Sequence, residues 1–132
     1  MTSGHVYTTR VYYADTDAGG VVYHAVYLAM AERARTEALR DAGLRHQTMR
    51  DDHDRIFMVR RANLEYLRPA RLDDALTITT TTTAQTAATI TLRQVFAGAD
   101  GTMRVVADIV LACVRSDGRA ARIPPRWRQL KF

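Results

Sequence analysis

Hydrophobic residues fall into two rhythms along the chain, one helical and confined to a single early run, the other alternating. Val6 to Tyr13 carries β-branched and aromatic residues in partial alternation, which predicts a first strand. Asp15 to Gly20 gathers Asp, Thr and a Gly-Gly pair, residues that reverse a chain. From His24 to Ala42 the spacing turns helical. Tyr27, Ala31, Ala34, Ala38 and Ala42 share one stripe, with Arg33, Glu37, Arg40 and Asp41 opposite. Gly43 suits the left-handed position after a helix, and Leu44 is then placed to pack on Leu39. A stripe of alanine lets a neighbouring layer approach closely, as a sheet wrapped around the helix requires.

His46 to Asp54 is polar and reads as a loop with a short helical turn. Beyond it the pattern is β. Ile56 to Leu67 puts Ile56, Met58, Ala62, Leu64 and Tyr66 on one face and stops at Pro69. Leu76 to Thr83 points Leu76 and Ile78 one way, and Thr89 to Ala97 aligns Ile90, Leu92 and Phe96. Thr102 to Arg115 aligns Met103, Val105, Ala107, Ile109, Leu111 and Cys113, with Val106, Val110 and Val114 on the reverse. Asp100-Gly101 and Asp117-Gly118 signal turns, and Pro124-Pro125 ends regular structure before a basic tail containing Trp127. The order predicts a single α+β domain over residues 1–132. It has an antiparallel five-stranded sheet and one long helix to cover one face, so self-association is expected to cover what the helix leaves.

Composition narrows the class. At 132 residues the chain can bury a core without disulfides, and Cys113 is its only cysteine, which fits a reducing cytoplasm. Met1 to Tyr13 holds no apolar run, so no secretory signal is expected, and the run Val105 to Val114 is broken by Asp108 and too short to span a bilayer. The formal charge of +5 asks for an anionic partner. The basic residues are dispersed arginines without a basic run, which disfavours nucleic acid and suits a small phosphorylated ligand or a merely basic surface. His5, His24, His46 and His53 are scattered, so no metal site is expected.

The chemistry concentrates between Tyr12 and Tyr27, where two carboxylates, a glycine pair, a histidine and four tyrosines stand together. By residue type alone, Asp15 and Asp17 are turn residues and His24 a structural polar group. Glu32 and Glu37 read as helix-surface charges, Glu65 as solvated or interfacial, and Cys113 as an inert core residue. No Ser, Thr, Asn or Asp stands just before Ala25, so the first helical N–H groups lack a local cap. Water, a remote side chain or a ligand's negative oxygen can serve instead.

Taken together, the run from Arg10 to Ala25 (with Asp15-Thr16-Asp17-Ala18-Gly19-Gly20-Val21-Val22-Tyr23-His24 at its centre), Tyr27, and Glu32-Arg33-Ala34-Arg35-Thr36-Glu37 resemble the hotdog-fold acyl-CoA thioesterases. The likeness is greatest to the YbgC group, related to 4-hydroxybenzoyl-CoA thioesterase. It continues through Phe57-Met58-Val59-Arg60-Arg61, Glu65-Tyr66 and Pro69 to Asp74. The resemblance implies a sheet curled around the helix, subunits paired into a continuous sheet and often assembled as homotetramers, and active sites at the subunit interface. It puts the catalytic carboxylate at Asp17 and the histidine at His24, with the His24 N–H polarising the thioester carbonyl. Gly19, Gly20, Val22, Tyr23 and Tyr27 would line the substrate site, and Arg60, Arg61 and Arg93 would meet the phosphates of coenzyme A. Coenzyme A, or an acyl carrier protein, would arrive as part of the substrate, and no cofactor is implied. Val26 stands where relatives often have a small polar residue, and Met30-Ala31 where an aromatic is frequent. Rival expectations are a hotdog hydratase or dehydratase acting on enoyl thioesters, and a non-catalytic acyl-CoA or acyl-carrier binder.

Overall fold

A computed structural model describes residues 4–132; Met1, Thr2 and Ser3, which begin the stretch expected to carry no secretory signal, lie outside the described residues. The elements in order are β1 (His5–Arg10), a 3₁₀ turn at Tyr13–Asp15, α1 (Val26–Asp41), α2 (His46–His53), β2 (Ile56–Tyr66), β3 (Ala75–Gln85), β4 (Thr89–Gly98), β5 (Met103–Val114) and α3 (Pro125–Arg128). The strands form one antiparallel sheet in the order β1-β3-β4-β5-β2, which leaves β1 and β2 as its edges.

The sheet packs its inner face on α1. Along β5, Val105, Ala107, Ile109, Leu111 and Cys113 are buried while Val106, Asp108 and Val110 are only partly so, the period-two pattern of a strand with one face on the core. Ala31, Ala34 and Ala38 are buried on α1, and their small side chains bring the helix close to the sheet. Ala42, expected in that stripe, is exposed, because the helix ends at Asp41 and the chain turns away. The ending is a Schellman motif: the Gly43 N–H donates to Arg40 O and the Leu44 N–H to Leu39 O, both at 2.9 Å, with Gly43 at φ +79°.

Five expectations require correction. The first strand stops at Arg10, because Asp15 Oδ2 accepts the Tyr12 N–H at 2.8 Å and folds Tyr13–Asp15 into a 3₁₀ turn. The long helix starts at Val26, not His24, since the Val26 N–H is taken by Tyr23 O in a turn. His46–His53 is a full helix, anchored by buried Met49. On β2 the register against β5 shifts between Val59 and Arg61, leaving Arg60 in a bulge. One extra residue exchanges the faces of a strand. Phe57 and Val59 therefore share the inner face with Ala62, Leu64 and Tyr66, opposite Cys113, Leu111, Ile109, Ala107 and Val105, while Ile56 and Met58 point outward. The tail beyond Pro124 also forms the short helix α3, which buries Trp127.

The core contains one polar knot. The Gln94 Nε2 donates to Ala31 O at 2.9 Å and to Thr80 Oγ1 at 3.0 Å, and its Oε1 accepts Arg35 Nη1 at 3.1 Å. A buried amide must find such partners or destabilise the fold. The knot ties α1 to β3 and β4.

Candidate active site

The loop from Thr16 to Ala25 leads from the 3₁₀ turn into α1, and backbone bonds fix it at both ends. The Tyr23 N–H donates to Asp15 O at 2.9 Å and the Val22 N–H to Ala70 O at 2.8 Å. Between them the Asp17 N–H donates to Val21 O, and the Gly20 N–H to Asp17 O, each at 3.0 Å. This reversal needs Gly20 at φ +76°, a conformation that glycine adopts without penalty. Asp17 Oδ1 accepts the Gly19 N–H at 2.8 Å, which orients the carboxylate. Oδ2 has no protein partner among the described residues.

Asp17 and His24, both exposed, line one open cleft of about 330 Å³, together with Val22, Tyr27, Tyr66 and Arg68. The Tyr66 hydroxyl donates to His24 O at 3.0 Å, and the His24 ring lies 4.5 Å from that of Tyr23 and 6.4 Å from that of Tyr66. Tyr27 is buried beneath, edge-on to Tyr66 and Phe96, its hydroxyl accepting the Ala70 N–H at 3.3 Å. Burial raises the Tyr27 pKa, so the phenol stays neutral and acts as a wall. At the start of α1, Ala25 provides no side-chain cap, and the His24 and Ala25 N–H groups have no acceptor among the described residues. A carboxylate and an imidazole thus share one cleft, and the unpartnered N–H groups of His24 and Ala25 belong to the helix start beside it. That set can hold an acyl carbonyl and deliver a carboxylate or water to it.

Not every expected residue arrives there. Gly19, Gly20 and Tyr23 shape the loop without lining the cleft. Arg60 and Arg61 lie farther along β2, Arg60 in the bulge and Arg61 opposite Val110. Arg93, on β4, is held by Asp108 through Nε at 3.0 Å and Nη2 at 3.3 Å, so its charge is already engaged. Tyr66, Leu67 and Arg68 join the cleft although sequence reading assigned them no site role. The available signal was an aromatic residue three positions before Pro69, at the end of a strand flanking the helix start. No group of metal-ligating side chains occurs among the described residues. No described helix is long and apolar enough to cross a membrane.

A five-stranded antiparallel sheet packed on one long helix defines the hotdog class. Residues 19–103 match the model of the thioesterase superfamily, and the chain belongs to that family. It is 45% identical over 105 residues to the acyl-CoA thioester hydrolase YbgC of Escherichia coli O6:H1, an alignment covering 80% of this chain and 78% of that one. A probable thioesterase from Bartonella henselae superimposes with a TM-score of 0.88 at 35% identity, covering 92% of this chain and 100% of that chain. A 1,4-dihydroxy-2-naphthoyl-CoA thioesterase from Synechocystis does so with a TM-score of 0.89 at 25% identity, covering 96% and 94%. The protein is accordingly a thioester hydrolase, as the Tyr12-to-Tyr27 stretch implied.

Proposed function

We propose that the protein hydrolyses an acyl-CoA thioester, or the same acyl group on an acyl carrier protein, at the cleft shared by Asp17 and His24. The observation that carries this is the convergence of the Asp17 carboxylate, anchored by the Gly19 N–H, with the uncapped start of α1. The thioester carbonyl oxygen lies against the His24 and Ala25 N–H groups, where the positive end of the helix stabilises charge as it develops. Asp17 attacks the carbonyl carbon directly or takes a proton from the water that does, and His24 holds that water or protonates the departing thiolate. The carbon–sulfur bond breaks and water supplies the oxygen and proton of the products. Coenzyme A is substrate here, not a cofactor.

Arg60 and Arg61 are the better candidates for its phosphates, Arg93 being paired with Asp108. The functional unit is at least a dimer built on the free edge of β2, and the compartment is the cytoplasm.

The test is thiol release from a panel of short, long and aromatic acyl-CoAs. Asp17→Asn is expected to lose roughly 10²–10⁴-fold in rate while its circular dichroism is unchanged. A folded variant as active as the parent overturns the role given to Asp17.

A further inference from the structure

A second cavity, of about 260 Å³, lies between α1 and the inner faces of β2, β4 and β5. It shares no lining residue with the Asp17 cleft. Leu92, Leu111, Phe57 and Trp127 make its walls largely apolar, and the exposed residues Glu32 and Val59 mark its mouth.

Into this apolar space the fold sets a cation. Arg35 is only 9% exposed and forms part of the wall. Its Nη1 donates to Gln94 Oε1 at 3.1 Å, and its other donors make no hydrogen bond to protein among the described residues. Guanidinium carries five N–H donors in a rigid fork, so most of this one is unspent. No carboxylate forms an ion pair with it among the described residues. Glu32, on the preceding turn of α1, accepts the Thr36 hydroxyl instead. A buried cation without an ion pair is costly: burial disfavours the charged form, and the charge of nearby Glu32 only partly offsets this. Gln94 is itself pinned by Ala31 O and Thr80 Oγ1, so the fork is held in place before any ligand arrives.

We propose that this cavity binds a carboxylate carried on an apolar chain, with the chain among the wall residues and the carboxylate in the fork of Arg35. Such a ligand has two sources. One is a free carboxylic acid of the kind thioester hydrolysis releases. The other is the distal carboxylate of a dicarboxylic acyl group still on its thioester; this second source rests on the function proposed above, and the first does not.

Trp127, the only tryptophan of the chain, reports from the cavity wall. Titration of the full chain with octanoate is expected to shift its emission saturably, with affinity roughly ten-fold or more above that for octanol, the value of a charge-assisted hydrogen bond. Arg35→Met brings octanoate down to the level of octanol. Val59→Phe, at the exposed mouth, weakens both and keeps the test open where Arg35→Met does not fold. A parent that gives no saturable shift, or prefers octanol equally, overturns the proposal; so does folded Arg35→Met with its preference intact, or Val59→Phe with both titrations unchanged. In Asp17→Asn, tighter binding of octanedioyl-CoA than of octanoyl-CoA assigns the site to the substrate's distal carboxylate, whereas a response to octanoate alone assigns it to the free acid. A chain that binds octanoate but cleaves no thioester keeps this site and removes the proposed function. The reverse result does the opposite.

Discussion

Asp15 and Asp17 are two positions apart and have different surroundings. Asp15 spends its carboxylate on the Tyr12 N–H and its carbonyl on the Tyr23 N–H, so it closes the loop, whereas Asp17 keeps one oxygen available in the cleft. His46 shows a different local effect. Its Nε2 lies 3.2 Å from Thr36 Oγ1 in a half-buried site, and burial lowers its pKa below the ordinary 6.5, only partly offset by Glu32, while Arg35 and Arg40 lower it further. The unfolded chain therefore takes up the proton more readily than the folded one. Stability from His46 is complete above the ordinary value and is lost as the pH falls below it toward the folded value. Denaturant midpoints measured between about pH 7.5 and 5 should decline in the parent, and His46→Gln should flatten that decline. An unchanged slope counts against this account.

At the level of elements, the ends of α1 are built oppositely. Its C-terminus has both Schellman bonds, with Gly43 in the left-handed region and open space where a Cβ would stand. Gly43→Ala therefore meets only backbone strain and should cost about 1 kcal/mol in urea unfolding, with thioester hydrolysis unaltered. The N-terminus has no side-chain cap, and the proposed site adjoins it. In β2 the bulge at Arg60 lets Phe57 and Val59 face the cavity while Leu64 and Tyr66 face the core and cleft. Without the bulge the strand could serve only one of its two halves.

For the molecule as a whole, the sheet ends in an eleven-residue edge strand, β2, carrying exposed Met58, Val59 and Tyr66. Open, apolar edges invite pairing with another strand. Met58→Lys places a charge on the outward face of that edge, and light scattering should show the proposed dimer falling to monomers, with hydrolysis lost although Asp17 and His24 are intact. A variant that remains oligomeric overturns pairing through β2.

Local spacing sufficed for the order of elements, the alanine face of α1, its Gly43 ending and the inner face of β5, because each rests on periodicity within a few residues. The run from Asp15 to His24 likewise carried the family. Tertiary structure alone decided the rest. Arg35 occupies the turn of α1 after Ala31, and Gln94 falls between Leu92 and Phe96, so both lie on core faces; only the packing of α1 on β3 and β4 turns them into a buried network. Likewise no spacing rule announces a bulge at Arg60, since it is defined by the register against β5. Asp108 sits fifteen residues from Arg93, and only strand pairing reveals that the two form an ion pair. Alternation along one segment is set by that segment, but partners and register are set by the segments folded against it.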